Sequence, residues 1–274
     1  MENLSENYIQ TIFKPRNPDS HKGDHGHALL IAGSKGRMGA AVIAASSCLR
    51  AGAGLLTVII PQEERSVLQI TIPEAMLAMR ETFDYDINNF SALGIGPAIG
   101  TDADAEVFLD KIISGCKIPL LLDADALNLL STDNNLFNKI PEGTILTPHP
   151  KEFDRLFGAH KNEDERGISA INISKEKNIV IVLKGHKTLI TSAGNSFINT
   201  TGNAGLAKGG SGDALTGIIT SFLAQGYIPF NAAQLGVYIH GLAADIALEK
   251  QSAESMLITD VIESMGEAFK TLVK

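Results

Sequence analysis

The chain has 274 residues, 44% hydrophobic and 20% charged, enough apolar material for one large globular domain with a substantial core. Its net charge of −8 argues against a surface that tracks nucleic-acid phosphates, although a small anionic substrate needs only a local cluster of donors. Cys48 and Cys116 are too few and too scattered for a disulfide framework or a metal site. The N-terminal stretch 1–10 is polar and acidic, with no apolar run of signal-peptide type, and no apolar run reaches the length of a membrane span, so the chain reads as cytoplasmic.

A polar leader is expected over 1–20. Residues 28–32, Ala-Leu-Leu-Ile-Ala, form an apolar run ending in Gly33 and Ser34, as a buried strand entering a loop does. Residues 40–53 are rich in Ala and apolar all round, the pattern of a buried helix. A strand over 55–60 is stopped by Pro61. Strand-like runs recur at 92–95, 119–122, 144–146 and 179–183, with helical stretches such as 102–113 and 163–177 between most of them. Two shorter runs, 188–191 and 196–199, are separated by Ala193, Gly194 and Asn195 and read as a hairpin. Three helices are expected after that, at 213–225, 231–250 and 255–273. Fully apolar strands alternating with helices imply an α/β fold, a mainly parallel central sheet covered by helices on both faces. With no linker, charge block or repeat, 1–274 is expected to form a single domain.

The strongest chemical signal is the run Thr201-Gly202-Asn203-Ala204-Gly205-Leu206-Ala207-Lys208-Gly209-Gly210-Ser211-Gly212-Asp213, which opens an apolar helix. Glycines let backbone N–H groups converge on an anion without obstruction by Cβ, and a helix N-terminus adds partial positive charge. An acid in the first helical turn is also a common cap. Capping alone does not explain the glycines, whereas a carboxylate beside an anion cradle suits a base that deprotonates a hydroxyl attacking phosphorus. Asp123 and Asp125 read equally as helix caps or as functional acids at a strand end. His149 is a satisfied loop residue or a ligand, and Lys184 and Lys187 are solvated cations or anion contacts. His25 and His27 lack the further ligands a metal site needs. Gly33-Ser34-Lys35-Gly36-Arg37-Met38-Gly39 does not have the spacing of a dinucleotide-binding Gly-x-Gly-x-x-Gly.

Gly209-Gly210-Ser211-Gly212-Asp213 resembles the Gly-x-Gly-Asp element of ribokinase-like kinases. The longer run from Asn203 to Gly217 resembles one branch of them, the ADP/ATP-dependent NAD(P)H-hydrate dehydratases. Other segments match that branch in order. They are Lys22-Gly23-Asp24-His25-Gly26-His27 with Ala32-Gly33-Ser34, then Met38-Gly39-Ala40-Ala41, and Gly94-Ile95-Gly96-Pro97-Ala98-Ile99-Gly100, in which Ala98 replaces a glycine. Leu122-Asp123-Ala124-Asp125-Ala126-Leu127-Asn128, Thr147-Pro148-His149-Pro150-Lys151-Glu152-Phe153 and Leu183-Lys184-Gly185-His186-Lys187-Thr188 follow. The similarity covers about residues 22–270.

The resemblance implies a ribokinase-like three-layer sandwich and a nucleotide-dependent dehydration of the hydrate of NADH or NADPH, by phosphorylation of the ring hydroxyl and elimination of phosphate. It implies Asp213 as the catalytic base and Ala40, Gly100, His149 and Asp213 facing the hydrate. Lys184, Gly185, His186, Lys187, Thr188, Gly210, Ser211 and Gly212 would bind the nucleotide, ADP or ATP. Mg2+ would bridge the nucleotide phosphates, with Glu152 holding it through water. The family suggests a homotetramer. A chain of this length has no room for a fused epimerase, so a separate NAD(P)H-hydrate epimerase is the expected functional partner. Two other readings stay open: a small-molecule kinase of the same fold, acting on a vitamin precursor or sugar, and a non-catalytic nucleotide sensor.

Overall fold

The computed structural model describes residues 2–84 and 86–273. Its strands are β1 (Glu2–Asn3), β2 (His27–Ile31), β3 (Leu55–Ile60), β4 (Met76–Met79), β5 (Ala92–Ile95), β6 (Leu120–Leu122), β7 (Ile145–Leu146), β8 (Val180–Leu183), β9 (Thr188–Ser192) and β10 (Asn195–Asn199). The helices are α1 (Glu6–Ile12), α2 (Met38–Arg50), α3 (Arg65–Thr71), α4 (Ala103–Gly115), α5 (Ala124–Leu130) and α6 (Asn134–Phe137). They continue with α7 (Pro150–Phe157), α8 (Glu163–Lys177), α9 (Ser211–Ala224), α10 (Pro229–Leu248) and α11 (Ile258–Leu272).

All ten strands lie in one sheet, in the order β1-β10-β9-β8-β7-β6-β5-β2-β3-β4. From β8 across to β4 every pairing is parallel, whereas β9 runs antiparallel to both β8 and β10. The chain winds outward from β2 through β3 to β4, then crosses back to β5 and winds the other way. The two directions part between β2 and β5.

Side chains alternate across the sheet and sort into two cores. On one face Leu30, Leu56, Val58 and Ile60 pack with apolar residues of α2, α9, α10 and α11. On the other, Leu29, Ile31, Ile59, Leu93 and Ile95 pack with α4, α5, α7 and α8. Strands covered on both sides have no polar face, hence their unbroken apolar runs.

The expected strands and the hairpin are present, with ends shifted by a residue or two. The helix expected over 40–53 runs from Met38 to Arg50, and α11 begins at Ile258, three residues later than expected. The leader is more structured than its polarity suggests. Ser5 caps α1 by accepting from the Tyr8 N–H, Leu4 and Ile9 are buried, and β1 pairs with β10. Among the described residues no helix is long and apolar enough to cross a membrane.

Candidate active site

Three parallel strands end in residues of the candidate site. Asp123 follows β6, the segment 147–149 follows β7, and Lys184 follows β8. The strands are neighbours in the sheet, so residues distant in sequence meet at the carboxyl ends of adjacent strands. Asp123 is 1% exposed. It occupies the N-cap position of α5 but makes no capping hydrogen bond. Its Oδ1 instead accepts from Lys184 Nζ at 2.8 Å, and its Oδ2 accepts from Thr216 Oγ1 of α9 at 2.9 Å. The capping reading of Asp123 therefore gives way to an ion pair and a buried hydrogen bond. Asp125 is no cap either: its Oδ2 accepts the Gly100 N–H at 3.0 Å and lies 3.7 Å from the Arg37 guanidinium.

His149 does cap a helix. Its Nδ1 accepts from the N–H groups of Lys151 and Glu152 at 3.1 Å, while Glu152 Oε2 accepts from the His149 N–H at 2.8 Å. This reciprocal box fixes the first turn of α7. Glu152 is buried and its Oε2 is 4.0 Å from Lys184 Nζ. Burial alone would lower the Lys184 pKa, but the carboxylates of Asp123, Glu152 and Asp213 outweigh it and hold the ammonium above its ordinary value.

Asp213 enters from α9. The N-cap of that helix is Gly210, at φ +95°, a left-handed conformation that suits glycine. A Cβ at Gly212 would stand 3.3 Å from Lys184 Nζ and 3.5 Å from Asp123 Oδ2, so the glycine turn lies directly over the ion pair. Burial, and then the neighbouring Asp123 carboxylate, push Asp213 up to about 6; Lys184 opposes this and Asp125 adds to it.

These groups line a cavity of about 590 Å³, which also takes in Gly185, His186, Thr188 and Ser211. Of the other site residues expected from sequence, Lys187 borders a neighbouring pocket across the 184–188 turn. Gly100 and the half-buried Ala40 stand outside the cavity wall, Gly100 joined to the centre through Asp125. Gly210 turns towards Ile43 and Ile258. The cavity is also lined by Thr201 and Asn203 of the glycine-rich run and by Asn199, Val237 and His240, which the sequence did not single out. Burial, then the Lys184 ammonium, lower His240 to about 4, and among the described residues its Nε2 has no hydrogen-bond partner. A lone histidine in an alanine-rich helix gave no sign of this. Thr216, three residues beyond Asp213 on α9, was the one missed contact with a periodicity that pointed to it.

Among the described residues no group of three or more His, Cys, Asp or Glu side chains could hold a metal ion. Asp123 has both oxygens engaged, which leaves Glu152 and Asp213 as carboxylates on the cavity. That donor set does not form a cage, but it fits a magnesium ion held mainly by phosphates and water. In chemical terms the cavity offers a carboxylate poised near neutral pH, a fixed ammonium and a helix N-terminus, a combination suited to proton removal beside an anionic group.

The model of the NAD(P)H-hydrate dehydratase family matches residues 28–266. The ADP-dependent (S)-NAD(P)H-hydrate dehydratase of Neisseria meningitidis is 39% identical over 92% of this chain and 87% of its own length. A bifunctional NAD(P)H-hydrate repair enzyme of Moorella thermoacetica is 34% identical over 98% of this chain, and the chain spans about half the length of that relative. The crystal structure of the Bacillus subtilis ADP/ATP-dependent NAD(P)H-hydrate dehydratase, co-crystallised with ATP and Mg2+, superposes with a TM-score of 0.89 at 31% identity, covering 99% of this chain and 98% of that one.

Proposed function

The chain belongs to the NAD(P)H-hydrate dehydratase family and has the ribokinase-like fold, and from that premise we propose that it dehydrates the hydrate of NADH or NADPH at the expense of ADP or ATP. Hydroxide is a poor leaving group. Phosphorylating the ring hydroxyl first turns the elimination into loss of phosphate. In the proposed reaction the hydroxyl oxygen bonds to the terminal phosphorus of the nucleotide, the phosphoanhydride breaks, and AMP or ADP departs. Asp213 takes the hydroxyl proton. The ring nitrogen lone pair then assists loss of phosphate, and loss of a proton from the adjacent carbon restores the dihydropyridine.

The observation that carries this reading is the Asp213 carboxyl, raised to about 6 at the opening of α9 and set beside the Lys184 ammonium. A base of that pKa is ionised at neutral pH yet strong enough to accept a proton in the transition state. In this reading Lys184 and the 185–188 turn hold the nucleotide phosphates, and the N–H groups of Gly210, Ser211 and Gly212 stabilise the charge on the group in transfer. Asp123 keeps Lys184 in place, and His149 faces the hydrate with Ala40 and Gly100. Magnesium on the phosphates would neutralise part of their charge, with Glu152 meeting it through water. The chain acts as one unit in this scheme, and an epimerase acting on the same hydrate is the proposed functional partner.

The deciding experiment mixes purified protein with NADH hydrate, Mg2+ and either ADP or ATP, and follows the near-ultraviolet absorbance of reduced nicotinamide. A nucleotide-dependent rise establishes the dehydration and names the donor. No rise, from protein shown to bind nucleotide, removes it and leaves a small-molecule kinase of the same fold.

A further inference from the structure

The segment between β10 and α9 carries the glycine turn, and charged side chains tie it down at both ends. At its start the Asp245 carboxylate of α10 accepts the Gly202 N–H at 2.8 Å and the Asn203 side-chain amide at 3.0 Å. At its end Lys208 Nζ donates to two main-chain carbonyls, those of Glu254 and Met256, each at 2.6 Å. Among the described residues Lys208 has no carboxylate within ion-pair distance. Between the two ties, a Cβ at Gly205 would stand 2.5 Å from Met256 Cε, so the 204–206 turn lies directly against the segment that Lys208 grips.

Charge-assisted bonds from one ammonium to two carbonyls are short and directional, and they use two of its three donors. We infer that Lys208 is a positioning residue for the anion cradle, a half-buried cation that clamps the glycine turn onto the segment preceding α11. Gly210 follows two residues later in its left-handed conformation, and the Ser211 N–H returns to the Lys208 carbonyl at 3.4 Å. Without the clamp the amides of 210–212 lose their fixed orientation, while the 184–188 turn keeps its own anchors, the Lys184 N–H on the Pro148 carbonyl and the Lys184 ammonium on Asp123. The inference rests on the proposed phosphoryl transfer at Asp213, but not on the identity of the hydroxyl that accepts the phosphoryl group.

The test uses Lys208→Met and Lys208→Ala in the full chain. ADP and AMP affinities are measured by calorimetry beside turnover, because only ADP places a terminal phosphate in the cradle. Lys208→Met is expected to lower kcat by about 10- to 100-fold, as displaced catalytic groups do. It should shrink the preference for ADP over AMP while leaving AMP affinity within about twofold of the unaltered protein. In Lys208→Ala, added propylammonium should restore part of the lost turnover and of the ADP preference, and should do neither in the unaltered protein. An ADP preference and kcat within about twofold of the unaltered protein would overturn the inference. So would a loss shared equally by AMP and insensitive to propylammonium, which marks a general defect of folding. If the unaltered protein dehydrates nothing, the proposed reaction falls and the calorimetric comparison alone decides the role of Lys208.

Discussion

At Asp213 the protein maintains a carboxylate under conditions that oppose its charge. Burial and the carboxylates of Asp123 and Asp125 favour the protonated form, and only the Lys184 ammonium favours the ionised one. Asp213→Asn keeps the shape and removes the base. If Asp213 is the base, as proposed, Asp213→Asn cuts turnover by at least about 100-fold, the lower range for a general base, while nucleotide affinity measured by calorimetry stays within a few-fold. In the unaltered protein kcat should fall as pH drops through about 6, and the pH–rate profile reads this directly. The same shift has a stability consequence. A carboxyl whose pKa is raised on folding favours the native state only where it is protonated, and that advantage is lost as pH rises through about 6. Asp213→Asn should therefore melt at a higher temperature than the unaltered protein above pH about 6, and the difference should vanish towards pH 4. Thermal melts across that range check it.

Elements approach one another closely wherever the site needs them to. Helix α9 lies against α2 so tightly that a Cβ at Gly217 would stand 2.1 Å from the Ala44 carbonyl oxygen and 2.2 Å from Ser47 Oγ. Ser47 Oγ bridges the contact, donating to the Ala44 and Ala214 carbonyls. Gly217→Ala should destabilise by about 3 kcal/mol, the upper end for overpacking, because the obstruction is main chain. Denaturant unfolding measures it. The sequence announces elements of this kind unevenly. The runs at 28–32, 55–60 and 179–183 read as strands because both faces are buried. Strand β4, by contrast, is an edge strand of Met, Leu and Ala with mixed exposure, and no pattern marks it. The glycine turn and Asp213 were legible as a compact local run. The Lys184–Asp123 pair was not, because its members leave different strands and meet only once β6, β7 and β8 lie side by side. Asp123 and Asp125 read equally as caps or as functional acids, and only their long-range partners, Lys184 and Thr216 for one and the Gly100 N–H for the other, separate them from capping.

For the molecule as a whole, the cavity joins the carboxyl ends of β6, β7 and β8 to the first turn of α9, so a ligand filling it bridges the sheet and the helices that follow it. Ligand at about a hundred times its Kd stabilises the fold by about 2.7 kcal/mol. For a chain of this size that corresponds to a rise of about 5–10 °C in Tm. ADP or ATP with Mg2+ should produce such a shift in the unaltered protein and a smaller one in Lys184→Met, as differential scanning fluorimetry would record. The order of the elements also matters during synthesis. The sheet face bearing Leu30, Leu56, Val58 and Ile60 is covered largely by α9, α10 and α11, which follow all ten strands. When the strands have been made, α1, α2 and α3 cover part of this face, and the remaining helices, the glycine turn and Asp213 are still to come. The apolar cover of this face and the residues of the candidate site therefore come from the same last part of the chain.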